Sequence, residues 1–313
     1  MSDGDSPAAG PGGPRLRTAA GPVRALRRGI GLVIVSAGAL LALEALWREV
    51  ISGRAAVEHA LFGGLFAALA TALGALPALL RHGAEARTRD AMLGFGAGVM
   101  LAACSFSLIV PALAAARAAG AGTGAAGLQV AAALIVGAAA LMALERWLPH
   151  DYFDFAAPAA GGGLDTRQLK RVWLFVTAVA LHNVPEGLAI GVAFGGGIEQ
   201  GQALTAGIAI QDVPEGMVIA MALRGAGYRP GFAVLLGALS GVVEPMAAVC
   251  GAVVVAQMAA VLPWGLAFAA GAMLFVISHE VVPESHRGGH PRLATAGLVL
   301  GFALMMLLDT TLA

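Results

Sequence analysis

Nine runs of apolar residues take up most of this 313-residue chain. They fall at roughly 29–47, 57–80, 91–113, 123–148, 172–195, 202–223, 231–256, 262–281 and 293–312. Each is close to the ~20 residues a helix needs to cross ~30 Å of hydrocarbon. Charged residues make up 12% of the chain, against about a quarter in a soluble domain. The pattern predicts an all-α polytopic membrane protein with nine transmembrane helices.

The basic residues orient these helices. With the N-terminus in the cytoplasm, sixteen of the 19 fall in cytoplasmic segments, leaving Arg48, Arg54 and Arg117 outside. That asymmetry supports both the helix count and an outward C-terminus. Residues 1–28 are rich in Gly, Pro and Ala and read as a disordered cytoplasmic tail. The run at 29–47 follows Arg27 and Arg28, as a signal peptide would. Its apolar core is too long and lacks a clear cleavage site, so we expect a retained helix, with its connection reaching residue 56. One long cytoplasmic connection, 149–170, holds His150, Asp151 and Asp154 and reads as a solvated linker. Cys104 and Cys250, both inside apolar runs, exclude a disulfide framework. No basic cluster is interleaved with aromatics, which excludes a nucleic-acid partner.

Against this background the middle of the chain is anomalous. His182-Asn183-Val184-Pro185-Glu186-Gly187 and Gln211-Asp212-Val213-Pro214-Glu215-Gly216 are near-copies of one pattern, 29 positions apart. Each lies at the midpoint of its apolar run, and Glu244 lies at the midpoint of the next. Three successive helices therefore place ionisable groups at one depth. Positions i and i+4 are 40° apart on a helix, so His182 shares a face with Glu186, and Gln211 with Glu215. Asn183 and Asp212 lie about 100° further round. Two adjacent sites result. The first comprises His182, Glu186, Gln211 and Glu215; the second comprises Asn183, Asp212 and Glu244, with Glu186 and Glu215 bridging.

Four carboxylates at the midplane cost about 2.5–3.5 kcal/mol each on an insertion scale, on the order of 10 kcal/mol together. No Lys or Arg stands at that depth to offset them. Two divalent cations would. Imidazole beside carboxylate and amide oxygens suits Zn²⁺, Cd²⁺ or Fe²⁺. Pro185, Pro214 and Pro245 should leave the carbonyls of Leu181, Ile210 and Gly241 without helical partners. Gly187/Gly191 and Gly237/Gly241 are spaced for close helix approach.

HNVPEG, IQDVPEG and GVVEP, together with DAMLGFGAGVMLAA, FSLIVP, AGAMLFVISHEVVPESH and GFALMMLLD, resemble the bacterial branch of the ZIP (Zrt-, Irt-like) divalent metal transporters. The resemblance covers most of 57–313. It implies eight helices grouped three, two and three, with the outer triplets related by inverted repeat; the run at 29–47 is then an extra helix. It also implies a binuclear centre at the residues named above and metal movement into the cytoplasm. A homodimer in the bacterial inner membrane and a rocking or elevator-like motion of one helix group are further expectations. Zn²⁺ or Cd²⁺ would be cargo, with no catalytic cofactor. Two departures stand out: many family members have His where this chain has Gln211, and the 149–170 loop has only His150 where the family is often His-rich.

Other candidates lie along the path. Met100, with Cys104 one turn on, offers soft sulfur ligands, and Ser107 could line the outer mouth. By resemblance, His279, Glu280 and Glu284, with His286 beyond, form an exit site. Asp309 would attract cations at the mouth. Two other functions compete with metal transport. A proton- or sodium-coupled solute carrier could use the acids as a relay. An intramembrane metallohydrolase would commonly show HExxH, and His279-Glu280 followed by His286 has the wrong spacing.

Overall fold

The computed structural model describes Glu44, Arg48 and residues 51–80, 85–147 and 166–312, with some side chains between 166 and 178 excepted. The expected tail at 1–28, the extra helix at 29–47 (Glu44 apart) and the loop candidates His150, Asp151 and Asp154 lie outside the described residues. The chain divides into two units, Met1–Trp47 and Arg48–Ala313.

The second unit is all-helical among the described residues. Eight helical rods run in order: α1 Ala55–Leu79, α2 Ala86–Ala118, α3 Thr123–Trp147, α4 Thr166–Gly196, α5 Ile198–Gly225, α6 Pro230–Gln257, α7 Ala259–Ser285 and α8 Pro291–Leu312. Seven of them are long and apolar enough to cross a membrane; α4, at 31 residues, is the eighth rod. Among those seven, α5 is the most enclosed, and α3 and α8 are the most open to the surroundings.

The rods outrun the apolar spans in several places. α4 begins at Thr166, so that Thr166–Arg171 are helical where the sequence suggested loop. Hydropathy marks where hydrocarbon ends, whereas a helix rich in Arg, Lys, Gln and Leu continues into water at little cost. Between rods the chain turns tightly. Gly227, between α5 and α6, has φ +84°, and Gly120, between α2 and α3, has φ +94°, both in the left-handed region open to glycine.

Three rods are irregular. α6 breaks at Gly241–Val242 into Pro230–Ser240 and Val243–Gln257. The sequence suggested that Pro245 would strand the Gly241 carbonyl. Instead the Glu244 amide closes on that carbonyl at 3.0 Å, in a tight turn that restarts the helix. α2 and α7 each widen to π-helix, over Ala103–Ile109 and Ile277–Val281. Each π-segment is followed within two residues by a proline, Pro111 or Pro283, which removes an amide donor from the next turn.

Glycine contacts sort the rods into two groups. Gly187 and Gly191 on α4 lie against the backbones of Glu244 and Ala248 on α6. Gly74 on α1 meets Val213 on α5, and Gly216 returns the contact at Thr71. Gly94, Gly98, Gly297 and Gly301 join α2 to α8 backbone to backbone, while Gly137 and Gly271 join α3 to α7. A Cβ at any of these positions would strike main chain. Across the two groups the glycines meet only side chains: Gly207 of α5 faces Met305, Gly265 of α7 faces Val192, and Gly96 of α2 faces Gln211. So α1, α4, α5 and α6 form one tightly fused body; α2 with α8 and α3 with α7 are two further fused pairs, which Cys104 of α2 and Ala270 of α7 link into the other.

Candidate metal centre

The centre forms where α4, α5 and the restarted half of α6 meet within the first body. His182, Asn183, Glu186, Gln211, Asp212, Glu215 and Glu244 are all buried, and Asn183, Glu186, Asp212 and Glu244 are fully so. Glu186, Asp212 and Glu244, one from each helix, bring carboxylate oxygens within 4.8 Å of one another. Gln211 sits between two of them: its Nε2 donates to Glu186 Oε1 at 2.5 Å and to Asp212 Oδ1 at 2.6 Å. Glu215 lies beside Gln211 and Asn183.

The break in α6 sets two of these side chains. It places Glu244 in the first turn of a new helix, where the helix dipole favours a carboxylate. Because the Glu244 amide turns to Gly241, it cannot also serve Ser240, the residue four positions back. Asn183 Nδ2 donates to the Ser240 carbonyl instead, at 3.0 Å. Asn183 Oδ1, the other end of that amide, is buried without a partner.

That orphan oxygen has company. Glu186 Oε2, Asp212 Oδ2, Glu215 Oε1 and Glu244 Oε2 are likewise buried and unpartnered. Buried polar atoms are ordinarily satisfied. Five acceptor oxygens in one place with no donor among them make a site that a cation fits.

His182 lies near Glu215 and also meets the second body. Its Nδ1 stands 3.0 Å from Glu280 Oε2 on the π-segment of α7, across the boundary between the two bodies. Glu280, expected at the exit, is thus brought to the edge of the centre. Its expected companions are engaged elsewhere. His279 is 58% exposed, stacks on Phe275 and approaches Glu145 of α3 at 3.8 Å, while Glu284 pairs with Arg287 at 2.8 Å.

Met100 is buried on α2, and Gly96, one turn before it, faces the Gln211 side chain. Cys104 Sγ donates to the Ala270 carbonyl at 3.7 Å, a packing contact within the second body. Ser107 and Asp309, two separate candidates from sequence, are partners: Ser107 Oγ donates to Asp309 Oδ1 at 2.6 Å. The Ser107 carbonyl, four residues before Pro111, takes a hydrogen bond from Gln200 Nε2 of α5 at 3.2 Å.

Sequence reasoning missed Gln200, Thr71 and Asp90. Thr71 Oγ1 reaches Glu244 Oε1 at 3.3 Å, and Asp90, fully buried at the start of α2, accepts from the amide of His290 at 3.2 Å. A lone hydroxyl in an apolar helix carries no spacing that would flag it. Asp90 stands just before the apolar run at 91–113, and its burial by the α7–α8 turn is invisible in one dimension.

A family model for the ZIP zinc transporters matches residues 157–309, the half of the chain that holds the centre. Over a much longer stretch, the chain is 47% identical to the zinc transporter ZIPB of Bordetella bronchiseptica, across 302 residues that cover 90% of this chain and 91% of the relative. The chain belongs to the ZIP family. Its ZIP relatives extend beyond bacteria. The zinc transporter GufA of Myxococcus xanthus is 43% identical over 80% of this chain and 98% of its own length. Zinc transporter ZIP11 of Homo sapiens is 33% identical over 84% and 99%. ZIP proteins are transporters, not enzymes. The motifs His182–Gly187, Gln211–Gly216 and Glu244-Pro245 all lie inside the matched region.

Proposed function

We propose that this ZIP chain carries Zn²⁺, and Cd²⁺ as a close chemical relative, into the cytoplasm through a two-ion centre at mid-membrane. The observation that carries this reading is the set of five buried, unpartnered oxygens on Asn183, Glu186, Asp212, Glu215 and Glu244. A pore for a neutral or anionic solute has no use for such a set. In the proposed cycle an ion replaces Gln211 Nε2 as the partner of Glu186 and Asp212, and the turned amide offers Oε1. Asn183, Asp212 and Glu244 hold one ion, while His182 and Gln211 hold the other; Glu186 and Glu215 serve both.

Movement between the two bodies completes the reading. Inside each body, backbones are in contact through glycine; between bodies, side chains meet. Sliding repacks side chains far more readily than it separates fused backbones, so the first body would carry the centre past the second. Among the described residues, polar links that span the boundary include His182 with Glu280 and Gln200 with the Ser107 carbonyl. Each would break and re-form during the cycle. The arginine asymmetry supports a cytoplasmic N-terminus; the inward direction of uptake rests on the ZIP resemblance. We infer an inner-membrane homodimer, testable by cross-linking in native membranes.

The experiment is uptake of Zn²⁺, Cd²⁺, Fe²⁺ and Mn²⁺ into proteoliposomes, with and without a pH gradient. Saturable Zn²⁺ and Cd²⁺ uptake is expected. Uptake of none of the four would overturn the proposal.

A further inference from the structure

Thr71 lies on α1, a helix from which the sequence offered no candidate. It is fully buried, and its hydroxyl stands 3.3 Å from two acceptors: the carbonyl of Ala67, one turn back, and Oε1 of Glu244. A hydroxyl has one hydrogen to give. A carboxylate draws it more strongly than a neutral carbonyl. While Glu244 is ionised, the bond therefore runs to Glu244.

The neighbours leave Thr71 little freedom. Gly216 of α5 packs on its backbone, and Gly241 of α6 packs on its side chain, so closely that a Cβ at Gly241 would stand 3.0 Å from Thr71 Cβ. Gly64, two turns earlier on α1, lies against Pro245 beside Glu244 itself. Threonine is also stiff about χ1. The hydroxyl thus stands at a set point relative to Glu244, whose Oε2 is left buried and unpartnered in a carboxylate that lies within 4.8 Å of those of Asp212 and Glu186.

We propose that Thr71 is the positioning residue for Glu244: it occupies Oε1, so that the carboxylate meets an ion through Oε2 alone. This rests on the reading that the centre binds metal. One-oxygen ligation keeps the coordination number low, which suits the four ligands preferred by Zn²⁺. A carboxylate free to turn would offer both oxygens, which suits the six to eight of Ca²⁺. Thr71 therefore acts on selectivity as well as on affinity.

The test uses the purified full-length protein, with Zn²⁺ and Ca²⁺ binding measured by equilibrium dialysis on wild type, Thr71→Val and Thr71→Ser. Outer-sphere partners of metal ligands typically affect affinity by about 10–100-fold. Thr71→Val is expected to weaken Zn²⁺ binding at least about tenfold and to lower the Zn²⁺-to-Ca²⁺ affinity ratio. Thr71→Ser, which keeps the hydroxyl, should stay within about twofold of wild type, well inside that range. If Thr71→Val does not fold, Thr71→Ala removes the hydroxyl without adding bulk and carries the same expectations. The proposal is overturned if the hydroxyl-free variant matches wild type, or if Ser is as impaired as Val, since packing alone would then account for the loss. Wild type that binds no zinc would bring down the metal reading with it; wild type that binds zinc beside an unaltered Thr71→Val would overturn the role of Thr71 alone.

Discussion

A carboxylate far from water is tolerable only in company, and Glu186 has the most. It shares the Gln211 amide with Asp212 and stands in the oxygen cluster with Asp212 and Glu244. On the proposed two-ion reading, truncating it would remove a ligand common to both ions, so Glu186→Ala should reduce zinc uptake to background, as should Glu215→Ala. Wild-type uptake rates in proteoliposomes would refute those bridging roles. Gln211→His exchanges a hard amide oxygen for imidazole nitrogen and should raise retention of Zn²⁺ over Mn²⁺ several-fold, by roughly 1 kcal/mol or more in relative binding. Competition dialysis of the two ions measures it, and an unchanged ratio would show that Gln211 is not a ligand. These residues were legible because charge in an apolar run is conspicuous, and because spacings of one and four positions translate directly into helical angles. Thr71 and Gln200 were not legible. Their roles depend on Glu244 and on the Ser107 carbonyl, which lie more than 90 positions away along the chain.

At the scale of the helix, the departures from regularity place the chemistry. The break at Gly241–Val242 starts Glu244 on a fresh helical turn and frees the Ser240 carbonyl for Asn183. The proline beside Glu244 signalled a disturbance; its form, a restart rather than a kink, came from the Glu244 amide turning to Gly241. The π-segments of α2 and α7 carry Ser107 and Glu280 to the boundary between the bodies, and nothing in their composition announces an extra residue in the turn. The glycines can be tested directly. A methyl at Gly191 would overlap the Ala248 carbonyl, so Gly191→Ala should cost about 1–3 kcal/mol in stability through overpacking. It should lower the thermal unfolding midpoint in detergent. An unshifted midpoint would show that α4 and α6 have slack between them. Gln200→Leu deletes the donor to the Ser107 carbonyl and should alter the rate of uptake while leaving equilibrium zinc binding unchanged, since no ligand is touched. Equal loss of rate and binding would place Gln200 in the centre instead.

At the scale of the molecule, the two bodies make opposite predictions for cross-links. Gly207 on α5 faces the Met305 side chain on α8, across the boundary; Gly195 on α4 faces Val255 on α6, within one body. Oxidising the double variant Gly207→Cys/Met305→Cys should arrest uptake and reduction should restore it. The pair Gly195→Cys/Val255→Cys, within one body, should show the same uptake after oxidation as after reduction. Full transport by the first pair while cross-linked would rule out relative motion at α5–α8.

The sequence by itself determined the class of molecule, the order of the three helices that carry the acids, and which carboxylates lie on them. Each of these depends on local composition or on separations of a few residues, which a helix of known pitch converts into geometry. Tertiary structure alone decided which oxygens are left without partners, that His182 meets Glu280, and that glycine seams fuse α1, α4, α5 and α6 into one body. Those outcomes depend on which backbone lies against which. In a chain apolar on nearly every helical face, periodicity carries no record of the neighbour each face will meet.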